Sequence, residues 1–246
     1  MKKILIILSR IPYPLDKGDK LRAFHQIKIL SKKFDITLFA INDPATPTNS
    51  KAIEVLGKFC SRVEFADLSW PEIGFNIIKS LFSGKPLQIG YFFSTKAKKQ
   101  LDSLIHVIQP DHIYCQLVRT AEYVKDLNYT KTIDYMDALS KGIERRIPNA
   151  SFFMKYILKI ELSRLRKYER HVFDWFDNHT IISEQDRDHI DHPRSSEIHV
   201  VPNGVDTDYF YPSNHIKAFD IIFSGNMAYP PNIETARYIT KEVLPD

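Results

Sequence analysis

The stretch IHVVPNGVDTDYFYP, residues 198–212, decides how the rest of this chain is interpreted. Residues 198–201 predict a buried strand, and Pro202, Asn203 and Gly204 follow at once, with Asp206 close behind. Pro pre-sets φ, and Asn and Gly tolerate positive φ, so the strand is expected to end in a sharp polar turn. Open α/β sheets bind ligands at the carboxyl ends of their strands. Taken alone, the turn also fits an ordinary exit from a strand.

The composition indicates a globular protein with a full core. The chain has 246 residues, 43% of them hydrophobic and 26% charged, which suits one large domain or two smaller ones. A net charge of +4 is too weak to argue for a nucleic-acid partner, although it would suit a phosphate-bearing substrate or an anionic membrane surface. We therefore expect no nucleic-acid binding.

Cysteine and histidine usage predicts neither disulfides nor a metal site. Cys60 and Cys115 have no metal-like spacing, and the nine histidines form no ligand pattern. A reducing, cytoplasmic compartment fits best. The apolar run at residues 4–8 is too short for a signal peptide and is expected to be the first strand. No apolar run reaches the roughly 20 residues needed to cross a bilayer.

Short apolar strands alternate with amphipathic helices along the chain. Strands are predicted at residues 3–8, 35–40, 62–66, 112–115, 131–135, 178–183 and 198–201. Helices are predicted at residues 18–33, 51–59, 72–82, 94–109, 119–127, 152–176 and 184–190, and the first has an apolar face of Leu21, Phe24, Ile27, Ile29 and Leu30. This order predicts an α/β, Rossmann-like, mostly parallel sheet with helices on both faces.

The end of the chain predicts the start of a second unit. A polar connector at 211–217 leads to a strand at 220–223 and a helix from near Pro231. We place one domain at residues 1–212 and the linker and first strand-helix pair of another at 213–246. One strand and one helix cannot bury a core, so we expect the chain to be a fragment of a larger enzyme.

The loop after the first strand, RIPYPLDKGDKLR, is a candidate anion site. Backbone N–H groups at the start of the helix and the positive end of its dipole would favour a phosphate. The candidate donor- or acceptor-binding residues here are Gly18, Asp19, Lys20 and Arg22. The loop lacks the GxGxxG fingerprint of dinucleotide sites, and a solvated basic loop is the alternative.

Other strand exits offer further candidates. In the fifth we expect the Asp134 and Asp137 carboxylates to point to the same side, and Asp137 could be a general base, a hydroxyl-binding group or a helix N-cap. The fourth and sixth exits contribute Gln116, Arg119, Ser183 and Glu184, although Ser183 could simply cap the following helix.

The helix predicted at 152–176 is basic and amphipathic. It carries several cations among aromatic and aliphatic residues, namely Lys155, Lys159, Arg164, Arg166, Lys167 and Arg170. Such a helix can lie on an anionic membrane, or it can be a surface helix whose cations are merely solvated.

Six segments resemble glycosyltransferase family 4, and within it the sugar transferases associated with the PEP-CTERM exopolysaccharide system. They are PYPLDKGDKLR (12–22), SGKPLQIGYFFS (83–94), DYMDALS (134–140), ISEQDR (182–187), VPNGVDTDYFYP (201–212) and FSGNMAYPPN (223–232). The resemblance implies a GT-B fold of two Rossmann-like domains, the first binding the acceptor and the second the nucleotide-sugar donor. It implies retaining transfer without a metal or other cofactor.

The resemblance also suggests roles for single residues. Gly18 would lie near the donor phosphate and the acceptor, Asn203, Gly204 and Asp206 would belong to the site, and Gly225, Asn226 and Met227 would face the donor. Many members have a histidine where this chain has Met136, so we nominate the adjacent Asp137 as catalytic. The family's donor-site basic residue and paired glutamates would lie beyond position 246.

We therefore expect a retaining glycosyltransferase of cell-surface polysaccharide synthesis, located in the cytoplasm, either free or at the inner face of the membrane. Its partners would be a nucleotide sugar and a glycan or lipid-linked acceptor, and the isolated chain would be nearly inactive. Two alternatives are a non-catalytic module that binds a glycan or lipid-linked sugar, and a nucleotide-binding oxidoreductase, against which the missing glycine fingerprint argues.

Overall fold

The structure is a computed structural model that describes residues 1–46, 51–212, 219–225, 227 and 230–244. The chain divides into two compact units, Met1–Asn203 and Gly204–Asp246. The domain boundary predicted between residues 212 and 213 stays a prediction, and most of the connector predicted at 211–217 lies outside the described residues.

The first unit is built on one seven-stranded sheet in which every pairing is parallel. The strands lie in the order β3-β2-β1-β4-β5-β6-β7. Their bounds are β1 Lys3–Leu8, β2 Asp35–Asn42, β3 Arg62–Asp67, β4 His112–Gln116, β5 Lys131–Asp134, β6 Asn178–Ile181 and β7 His199–Val200. The predicted Rossmann-like fold class is confirmed.

Eight α-helices of the first unit connect these strands within the described residues. They are α1 Gly18–Leu30, α2 Ala52–Leu56, α3 Trp70–Ser83, α4 Leu87–Phe92, α5 Thr95–Ile108, α6 Leu139–Arg146, α7 Phe152–Phe173 and α8 Glu184–Arg187. Neither α4 nor α6 was predicted, because each is too short to show a clear helical period. The helix predicted at 119–127 is instead a 3₁₀ helix, Val118–Tyr123.

Alternate residues of the central strand supply two separate cores. Leu5 and Ile7 of β1 belong to the larger apolar cluster, whereas Ile4, Ile6 and Leu8 belong to the smaller one. Since successive side chains of a strand point to opposite faces, the two clusters cover the two faces of the sheet. Helices therefore pack on both sides, as a parallel sheet requires.

The apolar face predicted for α1 is partly wrong. Leu21 is 44% exposed and Ile29 is 62% exposed, whereas Arg22 is buried with Ile27. Arg22 lies inward because it meets a buried carboxylate of the sheet, described below, and this ion pair outweighs the preference for burying a leucine at the neighbouring position.

The second unit contains α9, Pro230–Tyr238, followed by a π-helical turn, Ile239–Val243. The strand predicted at residues 220–223 is wrong, since residues 219–225 have no strand structure and Ile222 is 79% exposed. A strand needs a neighbour for its backbone groups, and no described residue of this unit supplies one. Among the described residues, no helix has the length and apolar character needed to span a bilayer.

Candidate functional site

The carboxyl ends of the parallel strands form one edge of the sheet, where the predicted loops begin. The chain runs from β1 through β2 to β3 on one side, and β4 then pairs with β1 on the other. Ligands of open α/β sheets bind at such a switch point. The structure brings Gly18, Gln116, Asp137, Ser183 and Asn203 to this edge, which we call the rim. The roles of these residues stay predictions.

Arg22 is a buried link between three elements of the rim. Its Nε donates to Oδ2 of Asp134 at the end of β5, at 2.8 Å, and the two side chains are 5% and 0% exposed. Its Nη1 donates to Oδ1 of Asn203 at 2.9 Å. Arg22 therefore fixes the turn after β7 against β5, and any phosphate contact from Arg22 would be additional to these bonds.

Asp134 and Asp137 do not point to the same side, so that prediction is wrong. Asp134 is fully buried and accepts from Arg22, Gln26, Tyr114 and the backbone N–H of Met136. The two aspartates are three positions apart, so even an extended strand would point them to opposite faces, and at Met136, with φ of 62°, the backbone also leaves the extended conformation. This turn places Asp137 in contact with solvent at the rim.

A second charged group consists of Arg10, Arg119 and Asp19, and its two guanidinium groups lie near the aromatic ring of Phe92. The Arg10 guanidinium lies 5.7 Å and the Arg119 guanidinium 4.9 Å from the ring centre. Arg10 pairs with Asp19 at 2.9 Å, and Arg119 Nε donates to Oε1 of Gln88 at 3.0 Å. Burial, followed by repulsion from Arg10, lowers the pKa of Arg119 to about 10, so it remains cationic at neutral pH.

Asp137 lies in the electrostatic field of this group. Partial removal from solvent raises the pKa of its carboxyl, and the negative charges of Asp186 and Asp19 raise it further, whereas Arg119 lowers it. The side chain is nevertheless accessible. An accessible carboxyl with a raised pKa beside a cation is suited to accept a hydrogen bond or a proton from a hydroxyl group.

The remaining predicted residues of the first unit are held by local contacts. Ser183 caps α8, since its Oγ accepts from the N–H of Asp186 at 3.1 Å, and Glu184 lies 4.0 Å from Arg187. Lys20 pairs with Asp16 at 2.9 Å, and Gln116 donates to the backbone oxygen of Asp19. Gly18 begins α1, and no atom lies within 4 Å of the position a Cβ would take.

A buried carboxyl holds the start of α6, the helix that follows Asp137 of the rim. Glu169 of α7 is 1% exposed, and its Oε1 accepts from the N–H of Ser140 at 3.1 Å at the start of α6. Burial raises the pKa of Glu169 to about 7. The segment after Asp137 is therefore anchored by a carboxyl that changes its charge near neutral pH.

Sequence reasoning missed three rim residues, namely Arg10, Gln88 and Phe92. Arg10 lies just beyond the end of β1, which was a usable signal. Gln88 and Phe92 belong to α4, whose position next to the exit of β4 depends on tertiary packing. Only that packing places an aromatic ring under two guanidinium groups.

The predicted residues of the second unit are described by themselves. Asp206 Oδ1 accepts from the N–H of Tyr209 at 3.2 Å, which closes a turn just after Gly204. A Cβ at Gly225 would lie 2.8 Å from Nδ2 of Asn232, so this glycine permits close packing. Met227 is half exposed, and Asn226 lies outside the described residues.

Within the described ranges, no group of three or more His, Cys, Asp or Glu side chains is arranged to hold a metal ion. The expectation of transfer without a metal stays a prediction.

No protein-family model and no curated protein sequence matches the chain significantly. Among solved structures it is similar to sucrose-phosphate synthase from Thermosynechococcus elongatus, with 13% identity and a TM-score of 0.54, over 87% of this chain and 51% of that one. It also matches the apo form of the lipopolysaccharide outer core galactosyltransferase WaaB, with 13% identity and a TM-score of 0.45, over 82% and 46% of the two chains. A third match is Phytolacca americana UGT2 complexed with UDP-2fluoro-glucose and pterostilbene, with 12% identity and a TM-score of 0.45, over 83% and 54%.

The chain thus spans about half the length of the solved structures it matches. The similarity to the synthase extends over most of this chain and shows that the two share the Rossmann-like α/β fold.

Proposed function

We propose that this chain is the acceptor-binding part of a glycosyltransferase that uses a nucleotide sugar. The observation that supports this most is the accessible Asp137 at the rim, in the electrostatic field of Arg119, which shares the Phe92 ring with Arg10. The fold shared with a sucrose-phosphate synthase and the sequence resemblance to family 4 support the same conclusion. The proposal concerns the intact enzyme.

The chemistry follows from the charges at the rim. The Asp137 carboxylate would accept a hydrogen bond from the acceptor hydroxyl as this oxygen attacks the sugar carbon. Arg10 and Arg119 would stabilise the negative charge that develops on the departing diphosphate, the kind of interaction that contributes most in group transfer. Arg22, through Asp134 and Asn203, would position these loops without touching the substrate.

The finer parts of the proposal come from the resemblance. They are membership of family 4 and its PEP-CTERM-associated branch, retention of anomeric configuration, and a role in cell-surface polysaccharide synthesis on the cytoplasmic side. The acceptor would be a glycan or a lipid-linked sugar.

Calorimetry on the chain tests the assignment of the rim. The ligands are UDP-glucose and GDP-mannose as donors, and soluble oligosaccharides and a detergent-solubilised polyprenyl diphosphate sugar as acceptors. We expect acceptor binding, and we expect Asp137→Asn to weaken it about tenfold or more because it removes a charge-assisted contact, whereas Arg119→Gln should weaken only the binding of ligands that carry a diphosphate. Asp126→Asn, at an exposed site, is the matched control.

The outcome also separates the proposal from a non-catalytic binding module. Sugar transfer by the intact enzyme that Asp137→Asn abolishes supports an enzyme, whereas acceptor binding without any transfer supports the module. Failure of every donor and acceptor to bind would contradict both.

A further inference from the structure

Helix α3 exposes an apolar stripe to solvent. Phe75, Ile78 and Phe82 recur with the helical period and are 67%, 57% and 88% exposed. Trp70 and Leu81 are also more than half exposed. An amphipathic helix normally places polar residues on this side, so the outer side of α3 has the composition of a surface that is covered in use.

The first turns of α7 show the same feature. Phe152 is 95% exposed, Phe153 is 72% exposed, and Tyr156 is 67% exposed. Met154 and Ile160 are also exposed. Exposed aromatic residues at this density are unusual for a helix surrounded only by water.

One side chain links α7 to the end of α3. Arg164 of α7 donates to the backbone oxygens of Ser80 and Leu81 at the end of α3, the second at 2.9 Å. Ile160 lies one turn before Arg164. We treat the exposed apolar side chains of the two linked helices together and call them the α3/α7 face, made of Trp70, Phe75, Ile78, Leu81, Phe82, Phe152, Phe153, Met154, Tyr156 and Ile160.

The segments that carry this face are strongly basic. Residues 70–86 and 152–160 contain four Lys and one Glu, a surplus of three positive charges, and the neighbouring α6 adds Lys141, Arg145 and Arg146 against Glu144. Both glutamates are engaged, Glu72 with Ser94 and Thr95 and Glu144 with Lys141 and Arg166. The exposed charge beside the aromatic residues is therefore positive.

We propose that the α3/α7 face docks on the surface of an anionic lipid bilayer. Aromatic and aliphatic side chains would enter the interfacial region while Lys and Arg contact the headgroups, a combination typical of proteins that lie on membranes. A second copy of the chain is a poorer partner, since two such faces would bring like charges together.

The structure narrows the surface that the sequence indicated on the basic helix and adds α3 to it. Of the cations named in the basic helix, Arg164 is bound to α3, Arg166 pairs with Glu144, and Arg170 lies 3.8 Å from Asp191. The exposed apolar side chains lie at the start of α7, within the predicted helix, and on α3, which sequence patterning did not single out.

The α3/α7 face is also linked to the rim. Glu161 of α7 accepts from the N–H of Leu87 at 2.8 Å, and the next residue, Gln88, accepts from Arg119. If the proposed transferase activity is correct, a docked enzyme would hold its rim close to the headgroups, which favours a lipid-linked acceptor over a soluble glycan. This step rests on the proposed function, whereas docking itself does not.

Vesicle co-sedimentation of the chain tests docking without any sugar chemistry. The probes are phosphatidylcholine vesicles with and without phosphatidylglycerol, at low and high salt. We expect binding only to the anionic vesicles, weakened as salt shortens the range of the charges. Phe152→Ser with Phe153→Ser, and separately Phe75→Ser with Ile78→Ser, should each lower the partition coefficient about tenfold or more.

Matched controls separate docking from general effects of exposed apolar residues. Ile29→Ser with Val107→Ser removes two equally exposed side chains, 62% and 67%, from other helices and should leave binding within about twofold. Arg145→Glu with Arg146→Glu should remove the preference for anionic lipid. The proposal is overturned if the wild-type chain ignores anionic vesicles at low salt, or if the face variants bind as well as the control.

Analytical ultracentrifugation supplies the remaining outcome. A dimer that Phe152→Ser with Phe153→Ser converts to a monomer, with vesicle binding unchanged, would identify a second copy as the partner and overturn the proposal. A monomeric wild type that binds anionic vesicles supports it.

Discussion

Arg22 and Asp134 form an ion pair inside the protein, 2.8 Å apart and separated by 112 positions of sequence. Both side chains are almost completely withdrawn from water. Because Asp134 also accepts three further hydrogen bonds, the pair organises the exits of β4, β5 and β7 at once. Its integrity determines the shape of the rim.

Breaking this pair should cost stability. Arg22→Met leaves a buried carboxylate without its counter-ion, and we expect a loss of about 3–5 kcal/mol in the free energy of unfolding. Urea denaturation followed by circular dichroism measures it. Arg166→Met, which removes a solvent-exposed pair with Glu144, should cost far less stability. Equal losses in the two variants would contradict this account.

Close packing of α3 against α4 depends on Gly90. A Cβ there would lie 2.2 Å from Oγ of Ser80 and 2.9 Å from the backbone oxygen of Asn76. Gly90→Ala should therefore destabilise the protein by about 1–3 kcal/mol. Gly142→Ala, inside α6 with open space around it, should be neutral or stabilising by up to about 1 kcal/mol. Thermal unfolding of both variants gives the comparison, and a Gly90→Ala variant as stable as Gly142→Ala would refute it.

The buried Glu169 should make stability depend on pH. Its pKa is about 7 in the folded protein and 4.5 as the reference value, so the folded state holds a proton that the unfolded state has lost between these values. The contribution of Glu169 to stability is thus lost as pH rises from about 4.5 to about 7, by on the order of 3 kcal/mol.

Glu169→Gln should remove this loss and be more stable than the wild type at pH 8, because the amide stays neutral and can still accept from Ser140. Urea denaturation between pH 5 and about pH 8 measures the difference. Glu54→Gln, at an exposed helical site, is the control and should follow the wild type. A parallel pH profile for Glu169→Gln and the wild type would count against the raised pKa.

A substitution at Gly18 tests for ligand contact without disturbing the fold. No atom lies within 4 Å of its Cβ position, so Gly18→Ala should leave the free energy of unfolding within about 1 kcal/mol of the wild type. If a ligand approaches the backbone here, the added methyl group should weaken acceptor or nucleotide-sugar binding about tenfold in calorimetry. Unchanged affinity would remove Gly18 from the site.

The central parts of the fold could be predicted because local patterns determine them. The apolar runs of β1 and β2 and the period of α5 identify their elements within a few residues of the observed bounds. The local pattern at 220–223 wrongly predicted a strand, because a strand forms only where neighbouring strands satisfy its backbone groups.

The site was predicted to the level of loops rather than of contacts. Placing Asp137 and Asn203 at one edge needed only the rule that parallel strands share a carboxyl end. The inward turn of Arg22 depends on pairing across the whole unit, which no short window of sequence encodes. The separation of Asp134 from Asp137, in contrast, follows from their spacing of three positions, because side chains alternate along a strand.

The contact between Arg22 and Asn203 spans 181 positions, and this has a consequence for synthesis on the ribosome. Arg22 emerges long before either of its partners has been translated, so the N-terminal strands cannot complete their charged interior by themselves. The first unit can therefore reach its native structure only after β7 has been translated. This favours folding of the whole unit late in synthesis over stepwise folding of its early segments.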